Sequence, residues 1–189
     1  MFHKVWSAGL LALLTVAGSA MGGSLAQGEA DARAKMIEGA LLAVPQPMRD
    51  GATVVLDAPH ASRLVLRQGS NDIICRASTV KTGFNAYCYA KAFDPFWTRY
   101  EALGAEGKTN AEIRDALGAD ARSGKLNLIV GATTYTMSGD SQESSLPLMA
   151  VFLPNATEAS TGLSDKRDHF RPWLMWAGTP FAHIMIPGQ

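Results

Sequence analysis

Cysteine is scarce in this chain, which has two among its 189 residues, Cys75 and Cys88. Two cysteines exclude a small scaffold held by several disulfides, and a chain of this length buries a sizeable core without many such links. Their spacing also lacks the Cys-x-x-Cys pattern of a redox motif and the two close pairs of a structural zinc site. We therefore predict no resident metal and no cofactor.

An excess of charge of either sign is also missing. Lys and Arg together number 17, as do Asp and Glu, and the two signs are interspersed. Nucleic-acid binding predicts basic residues clustered on one face, so no nucleic-acid partner is expected. Three catalytic motifs are absent as well: a Gly-x-Ser-x-Gly elbow, a Gly-rich phosphate loop and a His-Glu-x-x-His helix. The sequence thus carries no familiar signature of an enzyme.

Long apolar runs are absent except near the N-terminus. Lys4 precedes an apolar run over residues 5–16, and small residues follow as far as Ser24-Leu25-Ala26. A basic start, an apolar core and a small-residue end are typical of a secretory signal peptide. We predict a signal peptide over residues 1–26 with cleavage after Ala26, and cleavage after Ala20 is the other option.

The predicted signal peptide sets the compartment and the domain organisation. It places the mature protein outside the cytoplasm, as a secreted or periplasmic chain. Residues 27–189 then have a usual length for a single domain. The alternative is an uncleaved membrane anchor, but the apolar core is shorter than the roughly 20 residues that a spanning helix needs. We therefore expect a soluble mature chain with no membrane span after cleavage.

Each cysteine lies in a strand-like run, Cys75 within residues 71–76 and Cys88 within residues 84–89. The link between them, residues 78–83, is rich in turn-forming residues. Two antiparallel strands joined there would bring the thiols opposite one another, and an oxidising compartment would close a disulfide. A thiol nucleophile and a metal-binding pair are the competing interpretations. We predict the disulfide.

The rest of the chain alternates between helix and strand patterns. Apolar residues at helical spacing predict an N-terminal helix over residues 29–43, which Pro45 ends. Strands over residues 52–56 and 63–67 lead into the cysteine hairpin. A second block of strands is predicted over residues 126–130, 133–137, 146–153, 171–176 and 181–186. A long polar surface loop is predicted over residues 155–170, and loops of this length are often functional.

Between the two blocks of strands, the sequence predicts an inserted helical hairpin. Asp94-Pro95 begins its first helix, whose apolar stripe predicts a core contact. The stripe consists of Phe96, Trp97, Tyr100 and Leu103. Thr109 and Glu112 have the spacing of a capping box at the start of the second helix. Together these patterns predict an α+β domain with a mainly antiparallel β-sheet, an N-terminal helix and an inserted helical hairpin.

The mature chain has three histidines, at positions 60, 169 and 183. Imidazole is the usual general base near neutral pH and the commonest metal ligand. A catalytic site built from the C-terminal region would combine His169 and His183 with Asp168 or Asp165. In that arrangement Trp173 and Trp176 would flank the site and contact a ligand. The alternative is a loop histidine in solvent and a strand histidine that bonds a carbonyl.

Gly139-Asp140-Ser141 resembles the nucleophile block of the Gly-Asp-Ser esterases, and Asp168-His169 follows it. Those enzymes carry the serine near the start of a parallel α/β domain, with the Asp-x-x-His block far away. Here the two segments are close in sequence and their surroundings are antiparallel. We therefore predict a turn between strands.

Several short blocks resemble a family of uncharacterised secreted bacterial proteins that contain two cysteines. The blocks are Ala52-Thr53-Val54-Val55, Val65-Leu66-Arg67-x-Gly69-Ser70-Asn71, the two cysteines, Tyr135-Thr136-Met137-x-Gly139 and His183-Ile184-Met185-Ile186. The chain departs from the family pattern before each cysteine, at residues 72–74 and 85–87, and in carrying the helical insert. The resemblance implies secretion and pairing of the cysteines, and it implies no activity.

Two classes of function follow from these observations. The first is a non-catalytic binding or structural module of the cell envelope, whose partner is a small molecule or an envelope protein. Its tryptophan, methionine and phenylalanine residues could line an apolar pocket. The second is a small secreted hydrolase or metal-dependent enzyme that uses the C-terminal histidines. We favour the first.

Overall fold

The computed structural model describes residues 19–56, 63–77 and 82–188. The helices are α1 (Ser19–Leu41), α2 (Gln46–Arg49), α3 (Asp94–Ala105), α4 (Asn110–Arg122) and α5 (Glu158–Thr161). The strands are β1 (Thr53–Leu56), β2 (Leu64–Arg67), β3 (Ile73–Ala77), β4 (Phe84–Ala90), β5 (Thr133–Gly139), β6 (Leu146–Phe152), β7 (Trp173–Met175) and β8 (His183–Pro187). Most of the predicted signal peptide, His60 and most of the link between the cysteine strands lie outside the described residues.

The strands form one eight-stranded sheet in the order β2-β1-β3-β4-β5-β6-β8-β7. The pair β1–β3 is parallel, and the other neighbouring pairs are antiparallel. The predicted α+β class, with a mainly antiparallel sheet, an N-terminal helix and an inserted helical hairpin, is confirmed. Of the described helices, none is both long enough and apolar enough to cross a membrane.

Helices cover the two faces of the sheet at different places. Residues directly opposite each other on neighbouring strands share a face. The face that we call the α1 face carries Cys75, Cys88, Tyr135, Met149 and Ile186, and α1 packs against its β1–β4 half. The opposite face, which we call the hairpin face, carries Ile74, Tyr89, Thr134, Ala150 and Met185. Helix α3 packs on this second face, and α4 packs against α3.

The predicted cysteine hairpin is confirmed. Cys75 and Cys88 are directly opposite each other on β3 and β4, and they form a disulfide. Both are fully buried and pack with Ala40 and Val44, at the end of α1 and just beyond it. The disulfide therefore ties together the two strands on which α1 rests.

The helical hairpin begins as the sequence predicts. Pro95 occupies the first turn of α3, where its missing N–H leaves no bond unmade. Thr109 and Glu112 form the predicted capping box of α4: the Thr109 side chain accepts from the Glu112 backbone N–H, and the Glu112 carboxylate accepts from the Thr109 backbone N–H. Leu103 is fully buried against α4, which confirms the core prediction for the last residue of the stripe.

Charged side chains fix α3 to the strands beneath it. Arg63 forms ion pairs with Asp94 and Glu101, and Arg76 pairs with Glu101 at 2.5 Å. The Arg76 guanidinium also lies 4.8 Å from the centre of the Trp97 ring. Because these groups are largely withdrawn from water, the pairs orient α3 on the sheet more firmly than exposed pairs would.

One predicted strand is wrong. Residues 126–130 form an irregular segment rather than a strand. Leu126 is buried and packs with apolar residues of α3 and α4, whereas Val130 is 70% exposed. Strand β5 already has β4 and β6 as its neighbours, so the segment finds no free strand edge there. The predicted long loop is confirmed over most of its length, but it contains the single helical turn α5.

Candidate functional site

An open cleft of about 320 Å³ lies between α3 and the hairpin face of the sheet. We call it the aromatic cleft. Strands β4, β5, β6 and β8 form its floor, and α3 and the turn after β7 form its walls. Its lining residues are Tyr87, Phe93, Phe96, Trp97, Tyr100, Thr134, Thr136, Leu148, Ala150, Phe152, Trp176, His183 and Met185. None of these residues is Asp, Glu, Lys or Arg.

The walls of the cleft are a connected set of aromatic rings. Phe96, Trp97 and Tyr100 share one side of α3 because residues three and four apart in a helix are neighbours. Phe93 links them to the floor, with its ring centre 4.6 Å from that of Phe96 and 4.4 Å from that of Phe152. Since each ring is held by others, the cleft is largely formed before any ligand enters.

Tyr87 on β4 and Trp97 on α3 both line the cleft and contact each other. Their ring centres are 4.9 Å apart in an edge-to-face arrangement. Burial raises the pKa of Tyr87 well above its ordinary value, so its hydroxyl stays protonated. The Trp97 N–H is buried, and no hydrogen-bond partner for it is found in the described chain. It nevertheless lies near enough to the Tyr87 hydroxyl to lower the pKa of Tyr87 slightly against the effect of burial.

Among the side chains that line the cleft, His183 is the one whose ordinary pKa lies near neutral pH. It begins β8 and is only 6% exposed. Its Nδ1 lies 2.7 Å from the Phe181 carbonyl oxygen. Because a carbonyl only accepts hydrogen bonds, Nδ1 carries the proton and Nε2 is left with a lone pair.

Burial lowers the pKa of His183 below its ordinary value, and the Phe181 hydrogen bond offsets part of this effect. The ring stacks on Phe152 with 4.9 Å between ring centres, and the ring of Trp176 meets it edge-on at 5.3 Å. None of these neighbours carries a negative charge that would pair with an imidazolium. His183 is therefore a neutral hydrogen-bond acceptor at neutral pH.

Trp176 lies at the mouth of the cleft in an unusual backbone conformation. Its φ is 56°, in the left-handed region that bulky residues rarely adopt. Thr179 holds the turn, since its hydroxyl donates to the Trp176 carbonyl oxygen at 2.8 Å. The ring is 47% exposed and contacts both His183 and Phe181. The strained turn thus places an indole ring over the entrance.

The structure brings together two of the predicted site residues, His183 and Trp176. Trp173 is buried in β7, and it does not line the cleft. His169 is exposed on the long loop and is not part of the lining either. Within the described residues, no three His, Cys, Asp or Glu side chains are arranged to hold a metal ion.

The carboxylate of Asp168 forms its hydrogen bonds within its own loop. Its carboxylate accepts from the backbone N–H of Phe170 at 2.8 Å and from the side chain of Arg171 at 2.8 Å. The Phe170 N–H, followed by the Arg171 side chain, lowers the pKa of Asp168 below its ordinary value. These contacts make Asp168 a loop-stabilising group. Gly139 ends β5, and Asp140 and Ser141 begin the turn towards β6, where Ser141 Oγ lies 3.2 Å from Ser144 Oγ.

The walls of the cleft were the part that the sequence prediction missed. Phe96, Trp97 and Tyr100 were predicted as core, and they are only partly buried because their rings line the cleft. Four aromatic side chains within eight residues, from Phe93 to Tyr100, exceed what one helix needs to pack on a sheet. That excess is the signal that could have indicated a binding surface.

A second apolar groove, of about 470 Å³, lies on the α1 face beside β5 and β6. Its one charged side chain, Arg49, already donates to the carbonyl oxygen of Val44 at 3.0 Å. The aromatic cleft differs in having a polar atom that is left for a ligand. It is therefore the better candidate site.

Comparison of the chain with protein-family models, with curated proteins and with solved structures gives no match.

Proposed function

We propose that this protein is an exported, non-catalytic binding module that holds an uncharged, apolar small molecule in the aromatic cleft. The observation that carries the proposal is an open cleft with aromatic walls, no charged lining residue and a neutral histidine. Small-molecule sites are typically concave, mostly apolar and supplied with a few polar groups that orient the ligand. The aromatic cleft has each of these properties.

The lack of charge in the lining determines which ligands fit. An ion that leaves water for an apolar site loses several kcal/mol of hydration, which only a countercharge or several hydrogen bonds can replace. Arg76, a cation that lies against the ring of Trp97, is already paired with Glu101. A carboxylate or an ammonium group is therefore a poor ligand for this cleft.

Apolar contact sets the affinity that we expect. Burying about 250 Å² of ligand surface contributes about 6 kcal/mol at 25 cal/mol per Å². Loss of the ligand's translational and rotational freedom opposes association. About 6 kcal/mol alone corresponds to a dissociation constant of about 40 μM, so binding by apolar contact is weaker than this, and hydrogen bonds would improve it.

Export to the periplasm or the medium is part of the proposal. It is supported by the signal-peptide pattern of residues 1–26, by the buried disulfide between Cys75 and Cys88 and by the resemblance to secreted two-cysteine proteins. Disulfides persist in oxidising compartments and are rare in the cytoplasm. A ligand of the cell envelope or the surrounding medium would be accessible there.

The alternative function, a hydrolase or metal-dependent enzyme using the C-terminal histidines, gains no support from the geometry. His183 contacts aromatic rings, and no carboxylate lines the cleft beside it. Asp168 bonds Arg171 and Phe170 rather than a histidine. We therefore retain the binding module.

A fluorescence titration with the uncharged dye N-phenyl-1-naphthylamine tests the proposal. We expect saturable binding at one site per chain. Ala150→Leu should weaken binding at least fivefold because Ala150 is buried in the floor of the cleft. Ala119→Leu, on the exposed surface of α4, is the matched control and should bind as the wild type does.

Absence of saturable binding to the wild-type chain would contradict the proposal. Equal binding by the wild type and a folded Ala150→Leu variant would place the dye elsewhere and would also contradict it. Melting temperatures of both variants establish that each is folded. If Ala150→Leu does not fold, Leu148→Ala, which enlarges the same floor, should change the dissociation constant.

A further inference from the structure

One acceptor atom stands out in the aromatic cleft. The hydroxyl of Thr136 donates to the Leu148 carbonyl oxygen at 3.3 Å, and the hydroxyl of Tyr100 donates to Asn110 Oδ1 at 3.3 Å. His183 uses Nδ1 for the Phe181 carbonyl, and its Nε2 forms no hydrogen bond with any described residue. A lone pair in an apolar cleft strongly favours a ligand that carries a hydrogen-bond donor.

The surroundings keep this atom an acceptor. Phe152 packs on the imidazole from β6, Met175 is opposite it on β7, and Trp176 meets it from the turn. All three are uncharged. The lining contains no Asp, Glu, Lys or Arg, and burial raises the pKa of Tyr87, so that its hydroxyl stays uncharged. No described charge in the lining therefore favours the imidazolium form.

Trp176 supplies the second part of the recognition. A glycine would adopt φ of 56° without strain, whereas a tryptophan holds it only because the turn imposes it. The result is a large flat ring at the mouth, perpendicular to the imidazole and half exposed to solvent. Aromatic rings pair favourably with other rings in stacked or edge-on geometry. A flat ligand ring can pack against the exposed face of the Trp176 ring.

We propose that the ligand is an uncharged, planar aromatic molecule with a hydroxyl or ring N–H donor, which bonds to His183 Nε2 while its ring packs against Trp176. This inference rests on the proposed function and specifies its ligand class. An apolar cavity of about 150 Å³ accommodates benzene. The aromatic cleft, at about 320 Å³, therefore has room for two fused rings.

Three matched probes test the inference: naphthalene, 2-naphthol and 2-naphthoate, each measured by displacement of N-phenyl-1-naphthylamine at neutral pH. We expect 2-naphthol to bind about fivefold to tenfold more tightly than naphthalene because of one additional hydrogen bond. We expect 2-naphthoate to bind more weakly than either, because its carboxylate meets no cation in the cleft.

His183→Phe keeps a ring on Phe152 but removes the acceptor. It should bind naphthalene and 2-naphthol with similar dissociation constants and so lose the preference for 2-naphthol. His169→Phe is the matched control, because His169 does not line the cleft, and it should retain the preference. Below the pKa of His183, wild-type binding of 2-naphthol should fall towards that of naphthalene, and His183→Phe should show no such pH dependence.

Trp176→Gly removes the ring and the backbone strain together. It should weaken binding of both neutral probes at least threefold without lowering the melting temperature. A ring with a merely structural role would instead lower the melting temperature and leave binding unchanged, which would overturn the part of the inference that concerns Trp176.

The outcomes separate this inference from the proposed function. If naphthalene and 2-naphthol bind equally well to the wild type, the inference is overturned and the binding module remains. If His183→Phe keeps the preference for 2-naphthol, the role of His183 is overturned. If none of the probes displaces the dye and the dye itself does not bind, the proposed function fails as well.

Discussion

Loss of the Cys75–Cys88 disulfide should destabilise the domain by about 3 kcal/mol. The bond closes a loop over a sequence separation of 13. In the chain-entropy account, opening a loop of this size returns conformational freedom worth about 3 kcal/mol to the unfolded chain. Both cysteines are fully buried beneath the end of α1, so the folded state has little freedom to regain. The effect therefore acts through the unfolded state.

A melting experiment measures this loss. For a domain of this size, each kcal/mol corresponds to about 2–4 °C in melting temperature, so the expected decrease is about 6–12 °C. The variant Cys75→Ala/Cys88→Ala should melt lower by at least this amount. Reduced wild-type protein is the matched control, since it keeps both sulfur atoms and lacks only the bond.

Equal melting temperatures of the oxidised and reduced wild type, within about 1 °C, would refute this reasoning. A decrease in the double variant alone would assign the effect to lost packing around Ala40 and Val44 rather than to loop closure.

Three further predictions concern α3, α4 and β8. Glu101→Gln should lower the free energy of unfolding by about 1–3 kcal/mol, because two arginines lose a partly buried partner. The exposed Glu106→Gln is its control, with a change within about 0.5 kcal/mol by urea denaturation. Thr109→Ala should cost about 1 kcal/mol by the same assay through loss of the α4 cap. For His183, whose pKa is lowered in the folded state, the unfolded chain binds more protons, so stability should fall as the pH drops below about 6.5. A pH series of melting temperatures should show this fall in the wild type and a smaller one in His183→Phe.

Each of these predictions has an outcome that contradicts it. Equal losses in Glu101→Gln and Glu106→Gln would mean that burial adds nothing to the ion pairs of α3. An unchanged free energy of unfolding in Thr109→Ala would mean that water satisfies the N-terminal N–H groups of α4 as well as the capping box does. Identical pH profiles for the wild type and His183→Phe would mean that the imidazole titrates alike in the folded and unfolded chain.

Local patterns in the sequence predicted local structure well. The capping box of α4 depends on two residues three apart, and the disulfide depends on one tight antiparallel pair. Both can be inferred without knowledge of the rest of the fold. The error at residues 126–130 has the opposite origin, because those apolar residues satisfy a strand pattern while the sheet offers no free edge beside β5.

The candidate site could be predicted only in part, because distant segments build it. Tyr87 on β4, Phe96 on α3 and His183 on β8 meet only through the strand order and the position of α3 on the sheet. No periodicity within one segment encodes that arrangement. Asp168 and His169 are near His183 in sequence, but the cleft lining excludes them. Proximity along the chain was therefore misleading for the catalytic hypothesis.

A crystal structure of the protein with 2-naphthol tests the central claim most directly. The account predicts one ring system inside the aromatic cleft, packed against Trp176, with its hydroxyl oxygen about 2.7–3.2 Å from His183 Nε2. A ligand found only in the apolar groove on the α1 face, or an empty aromatic cleft at saturating concentration, would contradict it.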